Sequence, residues 1–351
     1  MNQHQSKIRF DNEAIKELNE LLAAGQYPKV FFLVDENTHQ SCLIPLLQNL
    51  EELDEMEILE VEAGEKSKSV EVLNQLWMAM SELKADRSSL LVNVGGGVIT
   101  DLGGFLASTY MRGIDFINFP TSLLAQVDAS VGGKTAVNLE AHKNRIGIFN
   151  EPVFTGIVND FLDTLPELER ISGFAEMLKH GLIADQSYWK ELCEFPITEH
   201  YPNSSLVQRS IEIKSKIVKS DFRESGPRKL LNFGHSIGHA FESIALEKGI
   251  YYPHGFAIAQ GMIGESILSS KYLNLSENEM NSINDLIHSI FSKIPFDFEV
   301  EEMIGYIKMD KKNENGNLNF SLLKSIGEAE FNVEVEEKDI VSLLKFLKTN
   351  D

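Results

Sequence analysis

Residues 90–105 read LLVNVGGGVITDLGGF, an apolar run that breaks into three consecutive glycines and then reaches an aspartate. The apolar run is typical of a buried parallel strand, and the residues after the glycines have the spacing of a helix. Glycines between a strand and a helix let the backbone approach a bound group, and the N-terminus of the helix offers N–H donors that suit phosphate. The stretch therefore predicts an α/β fold, with a dinucleotide pyrophosphate as a candidate ligand.

The match of this stretch to the dinucleotide-binding pattern G-x-G-x-x-G is incomplete. Thr100 stands at the third glycine position, and the turn follows the third predicted strand instead of the first. A tight strand-to-helix turn without any ligand explains the glycines equally well, so the pattern alone leaves both interpretations open.

Polar loops follow two other predicted strands. The segment GEKSKS at residues 64–69 contains Glu65 and Lys68, and Asp35 and Asn37 come just past the first predicted strand. Because ligands of α/β sheets bind outside the carboxyl ends of the strands, we expect these loops and the glycine turn to outline one ligand.

The predicted secondary structure changes near residue 160, from alternating strands and helices to mainly helices. Strands are predicted at 30–35, 56–62, 89–94, 115–120 and 153–158, with helices at 38–50, 70–84 and 98–108. Beyond Pro166 amphipathic helical patterns dominate, and only NLNFSLL and AEFNVEVE near the end could form a small hairpin. We predict a Rossmann-like α/β domain with a mostly parallel sheet over residues 1–162 and an all-α domain over residues 163–351. The active site is expected in the cleft between the domains.

Composition limits the function classes. The chain has 32 basic and 53 acidic residues, a formal net charge of -21 that would repel nucleic acid and anionic membrane surfaces. No apolar stretch approaches the roughly 20 residues that span a bilayer, and the segment MNQHQSKIRF has no apolar core like that of a signal peptide. We therefore expect a cytoplasmic protein that binds neither nucleic acid nor membrane.

Basic residues cluster beside glycine turns in this acidic chain. Lys134 follows a glycine pair, Lys143 and Asn144 are expected in another polar loop, and Arg112 belongs to the short basic turn YMRG. Any one of them can be an ordinary surface residue. Together, cations beside backbone N–H groups are where a small anionic substrate would bind.

Histidines and a carboxylate in the second half suggest a metal site. Glu176, Lys179 and His180 share one helix face, His235 and His239 are four residues apart, and His254 lies at the entrance to the next helix. Two imidazoles and a carboxylate are ligands that a catalytic Zn²⁺ requires. A pair of histidines at this spacing is equally often packing or surface, and the spacing does not decide which of the two would bind metal. The glutamate of the zinc peptidase pattern H-E-x-x-H is absent, which argues against peptide hydrolysis.

A series of separated blocks resembles 3-dehydroquinate synthase, of the sugar phosphate cyclase superfamily, in the same order and over nearly the whole chain. The blocks are GGGVITDLGGF, YMRG, LLAQVDASVGGKTAVN, HKNRIG, FAEMLKHGLI, RESGPRKLLNFGHSIGHAFE and DKKNENGNLNFSLLKSIG. The resemblance implies an NAD-binding first domain and a second domain that binds metal and substrate.

The resemblance also implies roles for individual residues. The metal ligands would be Glu176, His235 and His254, holding zinc, with cobalt as an alternative. The NAD-binding positions would be Asp35, Glu65, Lys68, Gly95, Gly96, Gly97, Val98, Asp101, Thr121, Ser122, Asp128, Lys134, Lys143, Thr164 and Leu165. The substrate-handling and catalytic positions would be Arg112, Asn144, Lys179, Lys214, Arg228, Asn232, His239 and one of Lys311 and Lys312.

The reaction that the resemblance implies converts 3-deoxy-D-arabino-heptulosonate 7-phosphate to 3-dehydroquinate and phosphate, in the shikimate pathway of aromatic amino acid biosynthesis. It proceeds by transient oxidation with NAD, phosphate elimination, re-reduction and intramolecular aldol closure, without net redox change. The resemblance further implies a homodimer, in which Arg112 reaches the neighbouring subunit's site. Alternatives are a related cyclase, a metal-dependent polyol or alcohol dehydrogenase, and a non-catalytic binding protein. The basic residues Lys214 and Arg228 favour a substrate with a carboxylate.

Overall fold

The computed structural model describes residues 7–51, 55–140, 142–309 and 318–350. The chain separates into two compact units, Met1–Pro166 and Glu167–Asp351, and each is considered by itself.

The first unit is built on a parallel sheet. Its strands are β1 (Lys7–Phe10), β2 (Val30–Asp35), β3 (Met56–Val61), β4 (Leu90–Gly95), β5 (Asp115–Pro120), β6 (Lys134–Leu139), β7 (His142–Phe149) and β8 (Phe154–Ile157). Six of them form one sheet in the order β1-β8-β5-β4-β2-β3, and every neighbouring pair is parallel. The predicted α/β fold is confirmed.

Helices cover both faces of this sheet. They are α1 (Asp11–Ala23), α2 (Glu36–Thr38), α3 (Ile44–Leu47), α4 (Val70–Glu82) and α5 (Gly97–Thr109). Alternate residues of β2 enter different cores: Phe32 packs with Leu18 of α1, whereas Phe31 packs with Leu76 of α4 and Leu102 of α5. Burial on both faces explains why the strands read as continuous apolar runs.

A separate antiparallel hairpin, β6 with β7, stands apart from the parallel sheet. The sequence predicted loops here, and that prediction is wrong for Lys143 and Asn144, which lie within strand β7. All of β7 is exposed, so it lacks the buried apolar alternation by which a strand is recognised.

The second unit is mainly helical, as predicted. Its elements are α6 (Glu167–Ala184), α7 (Gln186–Cys193), α8 (Ser204–Ser220), α9 (His235–Glu247), α10 (His254–Leu273), α11 (Glu277–Ile290), α12 (Val300–Met309), β9 (Asn319–Ser325), β10 (Glu328–Glu334) and α13 (Glu337–Asn350). Strands β9 and β10 pair as the antiparallel hairpin that the sequence indicated.

Two glycines of α10 allow unusually close packing. A Cβ at Gly255 would lie 1.9 Å from the carbonyl oxygen of Ser172 in α6, and a Cβ at Gly261 would lie 1.9 Å from the carbonyl oxygen of Gly234, just before α9. No real side chain fits at such distances. Helix α10 therefore lies directly against the backbone of α6 and the start of α9, which brings together the elements that carry the candidate metal ligands.

Among the residues that the structure describes, no helix combines the length and apolar character needed to cross a membrane.

Candidate active site

The glycine turn joins β4 to α5 at the carboxyl edge of the sheet. Gly95 ends β4, Gly96 precedes the helix, and Gly97 is its first residue. A Cβ at Gly95 would lie 2.5 Å from Ile99, so packing itself requires this glycine. A Cβ at Gly96 or Gly97 would meet its nearest side-chain atom at 3.5 or 3.6 Å, which is ordinary contact. The fold therefore tolerates side chains at Gly96 and Gly97. The absence of side chains at these two positions fits a ligand that approaches the backbone.

A hydrogen-bonded network lies beside this turn. The Lys68 ammonium, nearly inaccessible to solvent, donates to a carboxylate oxygen of Asp101 at 2.6 Å and to the side-chain oxygen of Asn144 at 2.5 Å. Asn138 accepts from the Asn144 backbone N–H at 2.8 Å and donates to Glu65 at 2.7 Å. Burial raises the pKa of Asp101, and the Lys68 ammonium opposes that shift. The network brings together four of the predicted site residues.

Asn138 was missed by the sequence analysis. It links Glu65 of one loop to Asn144 of the hairpin, and it lies in strand β6, which the sequence analysis did not predict. Only the pairing of β6 with β7 reveals that role, because Glu65 lies 73 residues and Asn144 six residues from Asn138 in the sequence.

Two predicted cofactor residues hold their own loops. One Asp35 carboxylate oxygen accepts the backbone N–H groups of Asn37 and Thr38 at the start of α2, and the Ser122 hydroxyl accepts the N–H of Ala125. The remaining predicted residues of the first unit lie in or directly beside neighbouring segments. Val98 lies in α5, Asp128 in the turn Ala125–Ala129, Lys134 in β6 and Lys143 in β7. Thr121 directly follows β5, Thr164 ends the 3-10 turn Asn159–Thr164, and Leu165 directly follows that turn.

Arg112 lies in a strained turn after α5. Met111 has φ 48° and Arg112 has φ 70°, the left-handed region that side chains other than glycine adopt rarely. Such conformations cost about 1–3 kcal/mol each and concentrate at functional sites. The turn exposes the Arg112 side chain to solvent.

Three side chains of the second unit converge on one point. Glu176 of α6 is fully buried, and one of its carboxylate oxygens lies 3.5 Å from Nε2 of His235 and 3.7 Å from Nε2 of His254. The candidate ligand atoms of these three residues all lie within 4.8 Å of one another. Metal bonds of about 2.1 Å in a tetrahedral site separate neighbouring ligands by about 3.4 Å. The observed separations therefore match a divalent cation bound between the three side chains.

The two imidazoles are oriented by acceptors on their other nitrogen. Nδ1 of His235 lies 3.1 Å from the carbonyl oxygen of Phe233, and Nδ1 of His254 lies 3.3 Å from a carboxylate oxygen of Glu242. Burial alone would lower the pKa of His254, but the carboxylates of Glu242 and Glu176 outweigh it and raise the pKa to about 10. The arrangement leaves both Nε2 atoms directed at Glu176.

Lys179 and His239 adjoin this cluster. The buried Lys179 ammonium forms an ion pair with the second oxygen of Glu176, one helical turn away. The His239 ring centroid lies 5.1 Å from that of His235 and 6.2 Å from that of His254. The structure thus places three imidazoles, a carboxylate and an ammonium in one small volume.

Other predicted substrate residues lie on α8 and on the 3-10 turn Pro227–Asn232, which pack together. Lys214 and Arg228 are both buried, and an Arg228 guanidinium N–H donates to the carbonyl oxygen of Phe222 at 2.6 Å. The Asn232 amide donates to Glu224 at 2.9 Å, a residue that the sequence analysis did not single out. Lys311 and Lys312 lie outside the described residues.

Glu265 is a second carboxylate that the sequence analysis missed. It is fully buried in α10 and accepts the backbone N–H groups of Gly234, Ser236 and Ile237 at 2.6, 3.1 and 3.4 Å. They are the amides of Gly234, which directly precedes α9, and of the first turn of α9, where the helix dipole favours a negative charge. Glu265 therefore anchors the helix end that carries His235.

Replacing Glu265 with glutamine should destabilise this helix end. The side-chain NH₂ group of the variant would face a backbone N–H, so one donor loses its acceptor inside the protein. We expect Glu265→Gln to lower the free energy of unfolding by about 2 kcal/mol, as measured by urea denaturation of the metal-free protein. Glu247→Gln, an exposed change at the other end of α9, is the control. Equal stability of Glu265→Gln and the wild type would contradict this role.

Two family profiles match consecutive parts of the chain. The profile described as the N-terminal part of 3-dehydroquinate synthase matches residues 58–172, and that of the C-terminal part matches residues 173–313. The 3-dehydroquinate synthase of Parabacteroides distasonis is 40% identical over 347 residues, covering 98% of both chains. That of Thermoanaerobacter pseudethanolicus is 37% identical, covering 96% of both chains.

Solved structures agree on the fold. A 2-deoxy-scyllo-inosose synthase superposes with a TM-score of 0.84 at 24% identity, covering 97% of this chain and 96% of that one. A 2-epi-5-epi-valiolone synthase from Streptomyces hygroscopicus, solved with NAD⁺ and Zn²⁺, superposes with a TM-score of 0.83 at 24% identity, covering 100% and 99%. A butanol dehydrogenase from Thermotoga maritima has a TM-score of 0.65 at 13% identity, covering 99% and 98%.

The structural likenesses establish the fold, which cyclases and dehydrogenases share. The profiles and the full-length relatives distinguish between those classes, because both point to one enzyme across nearly the whole chain. The chain belongs to the 3-dehydroquinate synthase family.

Proposed function

We propose that this chain converts 3-deoxy-D-arabino-heptulosonate 7-phosphate to 3-dehydroquinate and phosphate, with NAD and a divalent metal ion as cofactors. The observation that carries the proposal is the convergence of Glu176, His235 and His254, with Lys179 paired to the same carboxylate. The cofactors are those with which a similar cyclase was solved.

The metal assignment rests on the chemistry of the donor set. A buried carboxylate and two imidazole nitrogens suit Zn²⁺, and Co²⁺ binds the same donors. Both Nδ1 atoms are directed at other acceptors, so the Nε2 atoms are the ones available to the ion. Glu176, His235 and His254 would hold the metal.

The NAD assignment rests on the glycine turn and the network beside it. Gly96 and Gly97 leave the backbone accessible where the fold itself would accept a side chain. No side chain caps the N-terminus of α5 within the described part of the chain, so its first amides suit a pyrophosphate. Lys68 and Asp101, fixed by mutual hydrogen bonding, would hold polar groups of the cofactor.

When bound, NAD⁺ would supply hydride transfer in both directions, and the metal ion would supply polarisation of a substrate oxygen. The residues of the chain bind and orient the substrate through these steps. Arg228, Lys214 and Asn232 would hold the carboxylate, because a guanidinium and an ammonium in a buried setting favour an anion. Lys179 and His239, beside the metal ligands, would transfer protons at the reacting carbon and oxygen atoms.

Arg112 and Asn144 complete the proposed substrate set from the first unit. Asn144 is held in a left-handed conformation, φ 54°, by its contacts with Lys68 and Asn138. A group held this rigidly can position a substrate at little entropic cost. The assignment of NAD to residues 1–162 and of metal and substrate to residues 163–351 belongs to the same proposal.

One assay distinguishes the candidate functions. The purified protein is supplied with the heptulosonate phosphate, NAD⁺ and Zn²⁺, and both inorganic phosphate and NADH are followed. The proposal predicts stoichiometric phosphate release without accumulation of NADH. Accumulating NADH would indicate a dehydrogenase instead. A parallel reaction contains a sugar phosphate that lacks a carboxylate, and phosphate release from that compound alone would indicate a related cyclase.

Gly95 and Gly97 should respond differently to alanine. Gly97→Ala places a methyl group at ordinary distance from Ala129, so we expect unchanged thermal stability but about tenfold weaker NAD⁺ binding, or about 1.4 kcal/mol. Gly95→Ala collides with Ile99 and should lower the melting temperature. Calorimetric titration with NAD⁺ and thermal melting of both variants measure the two effects. Wild-type NAD⁺ affinity of Gly97→Ala would contradict the cofactor assignment.

We also propose that the protein acts in the cytoplasm as a homodimer, as its resemblance implies. Exposed apolar side chains of the hairpin support a contact between subunits: Ile146, Ile148 and Phe149 are 38, 38 and 46% exposed. Light scattering after gel filtration should give twice the 39.4 kDa chain mass, and a monomeric mass would contradict the proposal.

A further inference from the structure

One face of α9 carries three side chains at or beside the group of candidate metal ligands. His235, His239 and Glu242 are separated by four and three residues, so they follow one another along the same side of the helix. His235 is a proposed metal ligand and His239 a proposed proton carrier. The third member of the series has no role in the function proposed above.

Glu242 contacts the ligand supplied by the other helix. Its carboxylate oxygen lies 3.3 Å from Nδ1 of His254, the first residue of α10, and only 14% of its side chain is exposed. Nε2 of the same ring lies 3.7 Å from Glu176. The ring of His254 is therefore held between two carboxylates, one at each nitrogen.

The contact fixes two properties of His254. A carboxylate at Nδ1 keeps a proton on that nitrogen, so Nε2 is the ring atom left to bind the metal ion. It also fixes the rotation of the ring, because the Nδ1–H must continue to point at Glu242. Carboxylates that accept from metal-binding histidines raise the basicity of the ligand and typically increase metal affinity about 10- to 100-fold.

The two proposed histidine ligands differ in the acceptor that faces Nδ1. Nδ1 of His235 faces the carbonyl oxygen of Phe233, a backbone group two residues away on the same segment. Nδ1 of His254 instead depends on a side chain from a different helix. Any substitution at Glu242 therefore acts on His254, whereas the acceptor for His235 is present whatever the side chains are.

We propose that Glu242 is a positioning residue that sets the orientation and tautomer of His254 and thereby the affinity of the metal site. The inference rests on the proposed function, because it requires that His254 bind a metal ion. Glu242 does not touch the ion itself in this account.

Zinc affinity of the full chain tests the inference without any activity assay. Protein freed of metal is titrated with Zn²⁺ in competition with a chromogenic chelator. We expect Glu242→Ala to weaken zinc binding about 10- to 100-fold. Glu242→Gln keeps an oxygen that accepts from Nδ1–H but loses the charge, so its affinity should lie between those of Glu242→Ala and the wild type.

Glu247→Ala is the matched control. It removes a carboxylate from the same helix, where the side chain accepts from the Tyr306 hydroxyl instead of facing an imidazole. Its zinc affinity should equal that of the wild type. Melting of each metal-free variant identifies any that has lost its fold, and the glutamine variant preserves shape if the alanine variant unfolds.

A second readout follows the geometry of the site. The visible absorption of Co²⁺ depends on its ligands, so Glu242→Ala loaded with Co²⁺ should show altered bands, and Glu247→Ala should show those of the wild type. Wild-type zinc affinity in both Glu242 variants would overturn this inference alone, provided that the wild type binds zinc. A wild-type protein that takes up no zinc would overturn the metal site together with the inference.

Discussion

His235→Ala is expected to abolish both tight metal binding and catalysis. The substitution removes one of the three proposed ligands, and the remaining pair, Glu176 and His254, cannot complete a catalytic zinc site. A metal ion supplies several kcal/mol of charge stabilisation in such reactions, so kcat/KM should fall about 1,000-fold or more. Zinc content after dialysis, measured by atomic absorption, and the phosphate-release assay report the two losses.

His239→Ala is the matched comparison for that prediction. The His239 ring lies beside that of His235. The candidate ligand atoms that lie within 4.8 Å of one another, however, belong to Glu176, His235 and His254. The His239 variant should therefore lose activity while retaining one zinc per chain. Full zinc content in His235→Ala, or loss of zinc in His239→Ala, would contradict the choice of ligands.

Arg228→Ala should weaken the binding of the substrate far more than the binding of NAD⁺. Arg228 is 2% exposed, and removing a buried charge that pairs with a ligand costs about 2–5 kcal/mol. We expect the KM for the heptulosonate phosphate to rise about 100-fold, or about 2.7 kcal/mol, with unchanged affinity for NAD⁺. Steady-state kinetics at saturating NAD⁺ and calorimetric titration with NAD⁺ separate the two effects.

Arg228→Lys serves as the control for charge. It keeps the positive charge but loses the planar fork that binds a carboxylate with two hydrogen bonds, so its KM should lie between those of the wild type and the alanine variant. Equal losses of substrate and NAD⁺ affinity in Arg228→Ala would argue for a structural role, because the guanidinium also holds the carbonyl oxygen of Phe222.

The parallel sheet could be predicted because its central strands β2, β4 and β5 are buried on both faces. Strands β2 and β5 have the predicted bounds, Val30–Asp35 and Asp115–Pro120. Strand β1 was missed because it is four residues long and only partly buried, so no apolar run marks it. Helix α1 was also missed, although Ala14 and Leu18 have the spacing of a buried helix face.

The family could be recognised from blocks of sequence, and the family profiles and full-length relatives confirm that prediction. The prediction of a phosphate-eliminating cyclase is confirmed with it. Helical spacing predicted that Glu176 lies close to Lys179 and His235 close to His239, because each pair lies on one helix. Spacing could not predict the contact between His254 and Glu176, because that contact depends on α10 packing against α6 at Gly255.

The carboxylates that support the site escaped prediction for the same reason. Glu242 and Glu265 act across the contact between α9 and α10, and neither partner lies within one helical turn in sequence. An acidic residue in a helix is ordinarily a solvated surface residue. Their low exposure and their partners distinguish these two from solvated carboxylates of the chain.

Anomalous diffraction from crystals of the zinc-loaded protein tests the central claim most directly. A difference map collected at the zinc edge should contain one strong peak per chain, about 2.0–2.2 Å from an oxygen of Glu176 and from Nε2 of His235 and His254. A peak bound by other residues, or crystals grown with zinc that show no peak among these three side chains, would contradict the account.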